Sequence, residues 1–178
     1  MTVLKKIITE QADQYFKKFG VFVKANGLTK HEPATIGWKV TDITEFNKAL
    51  AGFLASDLVN QCHIGFVDKR YIASIVFREP IYQKIYILKL MQRRPGSTDP
   101  VGLDHVDFTV ADLPATEAEF TKSGVADWDY ESNEVHTWIS VRFNGTEAKF
   151  VDHVVLDVGV KELKDITKQL GFTPKTVK

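Results

Sequence analysis

The chain has a single cysteine, Cys62, so an intramolecular disulfide and any zinc ribbon built on paired cysteines are excluded. That scarcity suits a reducing compartment, and a cytoplasmic location is the expectation. An excess of one charge sign is also missing. Lys plus Arg and Asp plus Glu both number 23, so no long-range field gathers nucleic acid or anionic lipid, and neither is expected as a partner. No apolar run approaches the roughly 18 residues of a membrane span. The opening MTVLKKIITEQADQYF spaces its apolar residues instead of massing them, unlike a signal peptide. The GxGxxG, Walker A, GxSxG and HExxH patterns are all lacking, which disfavours the cofactor enzymes and hydrolases that rely on them. What is present is 178 residues, 44% apolar and 26% charged. That describes one compact domain, or two small modules sharing a core, long enough to fold without staples.

Leu4, Ile7, Ile8, Tyr15, Phe16 and Phe19 fall near one helical face, so the periodicity predicts an amphipathic helix over residues 3–19 that ends at Gly20. Ala25-Asn26-Gly27-Leu28 and His31-Glu32-Pro33 read as turn and linker chemistry. Beyond them lies an internal repeat. Ile36-Gly37-Trp38-Lys39-Val40-Thr41-Asp42-Ile43 aligns without a gap on Val106-Asp107-Phe108-Thr109-Val110-Ala111-Asp112-Leu113, at an offset of 70. Each copy alternates like a half-buried strand and reaches an aspartate suited to capping a helix. Helical patterns follow at 43–55 and 114–122. Three strand-like segments follow each helix, at 59–66, 70–78 and 84–91, then at about 126–131, 135–143 and 146–154. Each half therefore reads β-α-β-β-β, an α+β chain whose two modules form a cupped mixed sheet. The expected divisions are 1–32 (helix and linker), 33–92 (first module), 93–101 (linker), 102–160 (second module) and 161–178 (C-terminal helix and tail), with the last helix from Val160 to Leu170.

Two βαβββ modules in one chain resemble the vicinal oxygen chelate superfamily, which includes glyoxalase I, extradiol dioxygenases and bleomycin-resistance proteins. Arg70-Tyr71-Ile72-Ala73, Glu79-Pro80-Ile81, Leu88-Lys89-Leu90, Pro95-Gly96-Ser97 and Gly102-Leu103-Asp104-His105-Val106-Asp107-Phe108 resemble, in order, motifs of its YecM-like branch of metal-binding proteins. These specific motifs cover residues 65–110. The resemblance implies a cup in which imidazoles and carboxylates from the first and last strands of both modules hold a divalent metal, leaving positions open for a substrate with two neighbouring oxygens.

Against that pattern, His105 stands where the second module has its ligand. Thr35 takes the corresponding place in the first module, where the branch has Asp-His and this chain has Ala34-Thr35. Lys89 replaces the glutamate of Leu-Glu-Leu, and a protonated lysine repels a divalent ion. Alternation places Leu103, His105, Asp107 and Thr109 on the cup side of one strand, Glu147, Lys149, Val151 and His153 on another, and His136, Trp138, Ser140 and Arg142 on a third. First-module strands add Lys39 and either Cys62 or His63, which cannot share a face in a regular strand. The candidate cup lining is thus Lys39, Lys89, Asp107, His136, Trp138, Arg142 and Lys149, with His105, Glu147 and His153 as metal-ligand candidates. Lys39, Lys89, Arg142 and Lys149 against Asp107 and Glu147 make the cavity locally positive. Arg70 is expected to form a structural salt bridge.

The reading that follows is a degenerate glyoxalase-like protein with an incomplete metal site and no cofactor, binding a small anionic or aromatic molecule. The alternative is a metal-dependent lyase, isomerase or dioxygenase-type enzyme using His105 with second-module ligands and zinc, nickel, manganese or iron. A non-catalytic interaction protein is a further alternative.

Overall fold

The computed structural model describes residues 3–133 and 136–156. The element order is α1 (Val3–Asn26), β1 (Glu32–Val40), α2 (Ile43–Leu54), β2 (Val59–Val67), β3 (Arg70–Phe77), β4 (Ile87–Gln92), β5 (Gly102–Thr109), α3 (Leu113–Ser123), β6 (Trp128–Ser132), β7 (Thr137–Phe143) and β8 (Thr146–Val151). The expected helix at Val160–Leu170 lies outside the described residues. The strands form one mixed sheet in the order β2-β3-β4-β1-β5-β8-β7-β6, so each half contributes four strands and the two halves meet at β1 and β5.

That seam shows the repeat as symmetry. β1 and β5 run antiparallel, with Ile36 opposite Val106, Gly37 opposite His105 and Thr35 opposite Asp107. Adding 70 to the β1 numbers and subtracting 70 from the β5 numbers maps this set of pairs onto itself, so a pseudo-twofold axis passes between Ile36 and Val106. The two irregularities in the ladder obey the same rule. One extra residue, Ala34, bulges from β1, and one extra residue, Asp104, bulges from β5. Outside the seam, β1 pairs in parallel with β4 and β5 with β8.

The helices cover one face. Asp42 caps α2 by accepting from the Thr44 and Glu45 amides at 2.9 and 3.0 Å. Ile36, Trp38, Leu88, Leu90, Val106, Phe108, Ala148 and Phe150 point from the sheet into the helix-side core, as period-two alternation requires. α1 does not stop at Gly20. It runs seven residues further to reach a helix end at Gly27, whose φ of +61° suits glycine. The reason is packing: Phe22 and Val23 continue the apolar stripe begun by Phe19, and a lone exposed glycine is too weak a breaker to offset their burial. Phe19 stacks on Phe108 at 4.3 Å between ring centroids, Phe22 on Phe143 at 4.9 Å and Phe16 on Tyr82 at 5.1 Å. The Tyr15 hydroxyl donates to the Glu147 carbonyl at 2.9 Å. No helix among the described residues is long and apolar enough to cross a membrane.

Candidate functional site

With the helices on one face, the other face of the sheet forms a cup enclosing about 410 Å³. All seven residues expected to line it do so: Lys39, Lys89, Asp107, His136, Trp138, Arg142 and Lys149. His105 and Glu147 are there as well, on β5 and β8 and opposite each other in the ladder. His153 is not. It lies past the end of β8, exposed, with Nδ1 2.5 Å from Asp152 Oδ1. Leu103 also departs from expectation and packs against the helix-side core. The bulge is the cause, because the extra residue shifts the alternation and puts the neighbours Asp104 and His105 on the cup face together. Of the two first-module candidates, Cys62 packs on the core and His63 lies opposite Ser74. Burial pushes the Cys62 thiol up to about 12, which leaves it a poor nucleophile.

The floor of the cup is a chain of charges. Asp107, 1% exposed, receives the Lys89 ammonium at 2.8 Å and the Thr35 hydroxyl on the same oxygen. Its other oxygen lies 3.4 Å from His105 Nε2. On the far side of that ring, Nδ1 is 3.0 Å from Asp104 Oδ2, and the second oxygen of Asp104 is 2.6 Å from the Lys39 ammonium. The ring can lie there because Gly37 sits beneath it. A Cβ at that position would come within 2.6 to 2.8 Å of three imidazole atoms. Toward β7, Ser140 donates to Glu147 at 2.7 Å and receives the Trp138 indole N–H at 3.0 Å. The Lys149 ammonium stands 4.5 Å above the Trp138 ring and 3.8 Å from Glu147. Among the described residues, one set with metal-ligand chemistry converges. Ligand atoms of Asp104, His105 and Glu147 lie within 4.8 Å of one another.

Among the described residues the cup is balanced in charge, contrary to the expected positive excess. Lys39, Arg70, Lys89, Arg94, Arg142 and Lys149 face Asp68, Asp99, Asp104, Asp107, Glu131 and Glu147, six of each sign. Of the additional acids, Asp104 comes from the bulge and Asp68 and Asp99 from connections, where strand alternation assigns no face, while Glu131 comes from the edge strand β6. Arg142 is a rim residue held by Asp127, Asp129 and Glu131 at 3.4, 2.9 and 2.5 Å. It therefore ties β7 to the edge strand β6 and to the residues just before it. Arg70 differs from expectation in the opposite sense. It makes no salt bridge with any described residue, although it is 8% exposed.

Burial would raise the Asp107 and Asp104 carboxyls. The Lys89 and His105 charges beside Asp107, and His105 and Lys39 beside Asp104, outweigh it and hold both well below the usual carboxylate range. His136 moves the other way for a base. Burial, then the nearby Lys89 charge, and further Lys149 and His153, bring it down to about 4 against the pull of Asp107. Both effects make the fold acid-sensitive, in different windows. Between about pH 6.5 and 4 the unfolded chain takes up the His136 proton and the native state does not. Below about pH 4 the unfolded carboxylates protonate before Asp104 and Asp107. We therefore expect Tm to fall in two stages on acidification, and His136→Gln to flatten the upper stage only. Calorimetric scans from pH 7.5 to 3 check this.

Compared with solved structures, the chain is similar to the structural-genomics protein EC4020, with a TM-score of 0.66 at 12% identity over 91% of this chain and 90% of that one. Streptomyces coelicolor methylmalonyl-CoA epimerase in complex with 2-nitronate-propionyl-CoA superposes with a TM-score of 0.49 at 14% identity, over 73% and 99%. A glyoxylase/bleomycin resistance protein/dioxygenase domain from Frankia sp. EAN1pec does so with 0.26 at 16%, over 68% and 97%. No protein-family model and no curated protein matches the chain. The paired βαβββ modules joined at β1 and β5 decide the architecture. The chain shares the fold of EC4020.

Within that fold the pseudo-twofold axis makes the departures from a metal site comparable between modules. Ala34-Thr35 is the symmetry mate of Asp104-His105. Lys89 pairs with Gly37 as Lys149 pairs with Asp107, so the lysine at the expected glutamate position has a lysine as its mate. The mate of Glu147 is Ile87. Sequence reasoning missed Asp104 as a cup residue, yet the offset of 70 held the signal: the same alignment that set Ala34-Thr35 against an Asp-His pair sets it against Asp104-His105.

Proposed function

We propose that the cup is a metal-free binding site for a small anionic or aromatic molecule, on a vicinal oxygen chelate scaffold whose first-module ligand positions hold Thr35 and the cation Lys89. The observation that carries this reading is the buried Lys89 ammonium, bonded to Asp107 at 2.8 Å and related by the pseudo-twofold axis to a second lysine, Lys149. The convergent donors fit a divalent ion poorly. All three come from one module, Lys39 is on Asp104 at 2.6 Å, Ser140 is on Glu147, and the ring nitrogens of His105 face Asp104 and Asp107. An added dication would meet three lysines at close range. A cavity of about 410 Å³ with an aromatic wall of His136 and Trp138 and a polar floor is of the size and character that holds small molecules. The motifs at residues 65–110 are the ground for placing the chain nearest the YecM-like branch, and the single cysteine for a cytoplasmic setting.

The convergence of Asp104, His105 and Glu147 within 4.8 Å favours the second reading, a metal-dependent enzyme. The two separate cleanly. One equivalent of zinc, nickel or manganese is expected to leave Tm unchanged in thermal melts. A rise of several degrees that His105→Ala abolishes overturns the metal-free reading in favour of the enzyme.

A further inference from the structure

Six cations line the cup, and five of them have carboxylates within 4 Å. The sixth is Arg70. Its guanidinium is buried, and among the described residues its Nε has no hydrogen-bond acceptor and no carboxylate lies within 4 Å of it. The acids around it are already committed, Asp68 to Arg94 at 3.1 Å and both Asp99 and Asp104 to Lys39 at 3.2 and 2.6 Å. Burial and then the repulsion of Arg94 disfavour the charge it carries, and they outweigh the attraction of Asp104, Asp68 and Asp99. A buried, unpaired guanidinium is costly to keep and has five donors in a fork that matches an oxyanion. Every described carboxylate of the cup, by contrast, has a cation beside it. The described charges of the cup balance, but they are unevenly shared: Lys39 holds two acids and Arg70 none.

Beside Arg70 the same face carries a small apolar cluster of Val67, Ile72 and Met91, separate from the main core. Ile72 and Met91 line the cup. From these two features we propose that Arg70 is the anchor for the carboxylate of a small monoanionic ligand, whose apolar or aromatic body lies over Ile72 and Met91. A monoanion fits because a single charge satisfies Arg70, while a second would face Asp68, Asp99 and Asp104 without a cation of its own. This rests on the cup being a ligand site, as proposed above, and adds the ligand class and the residue that selects it.

Benzoate, neutral benzamide and inorganic phosphate serve as probes, titrated into the full chain at low ionic strength while the Nε–H resonance of Arg70 is followed by NMR. Benzoate is expected to saturate and to move that resonance, with benzamide and phosphate each weaker by about tenfold or more. Arg70→Met is expected to weaken benzoate by a similar factor, and the resonance in the unaltered protein keeps the test valid if that variant fails to fold. Equal binding of benzamide, or benzoate binding that moves the Trp138 signals and leaves Arg70 unmoved, overturns the anchor and leaves the cup as a ligand site. Tighter binding of phosphate overturns the carboxylate. Failure of all three probes overturns the anchor as well, and if a metal then raises Tm in a His105-dependent way, the metal-free reading falls with it.

Discussion

Lys89→Met is expected to destabilise the protein by about 3–5 kcal/mol, the cost of leaving a buried carboxylate without its cation. Asp107 is 1% exposed, and after the substitution it keeps the Thr35 hydroxyl and the more distant His105 ring but loses the ammonium at 2.8 Å. The pair itself is a different matter. Removing both charges together, as in Lys89→Met with Asp107→Asn, relieves the desolvation of each, so the double variant is expected to recover a large part of the loss. Urea denaturation of the wild type, the single variants and the double variant closes the cycle. Strict additivity of the two single losses would falsify the view that the lysine is there as Asp107's resident cation.

The second large effect is expected at Gly37. An alanine Cβ there meets Cε1, Nε2 and Nδ1 of His105 at 2.6, 2.7 and 2.8 Å. A flexible side chain yields to such a contact, but this ring is held between Asp104 and Asp107 and is 4% exposed. Gly37→Ala is therefore expected to cost about 1–3 kcal/mol as an overpacking substitution and to displace the imidazole from both carboxylates. The His105 ring resonances report the displacement directly. Gly52→Ala is the control: Gly52 is in α2 with nothing within 4 Å of an added Cβ, so the same change there is expected to stabilise by about 0.5–1 kcal/mol. Equal effects at the two glycines would mean that the ring is free to move.

Much of this architecture was legible without coordinates. The offset of 70 predicted two modules, and the structure converts it into an axis through Ile36 and Val106. Alternation selected the cup faces of β7 and β8, because neither strand is irregular over the residues that matter. It failed at Asp104 because a bulge adds one residue without any change in composition, and period two cannot register an odd insertion. It failed again at Gly20, where local propensity favoured a stop and the aromatic stripe beyond it outweighed the glycine. Arg70 was assigned an ordinary salt bridge because a sequence shows which charges exist and not which remain unpaired. That distinction depends on where Asp68 and Asp99 fall, and both lie in connections between strands whose facing no periodicity predicts. The charge balance of the cup was misjudged for the same reason.

The seam between the modules is two strands wide, and in a two-module cup it is the natural hinge. Here α1 crosses the back of it. Gln11 accepts from the Leu103 amide at 2.9 Å, Tyr15 reaches the Glu147 carbonyl, and Asp13 accepts from the Tyr82 hydroxyl at 2.8 Å, so one helix grips both halves. Splaying the modules apart means breaking those bonds, unstacking Phe19 from Phe108 and losing the edge contact of Phe16 with the same ring. The two halves of the cup are thus tied together by a helix on the opposite face, and anything that needs them splayed has to work against bonds it never touches.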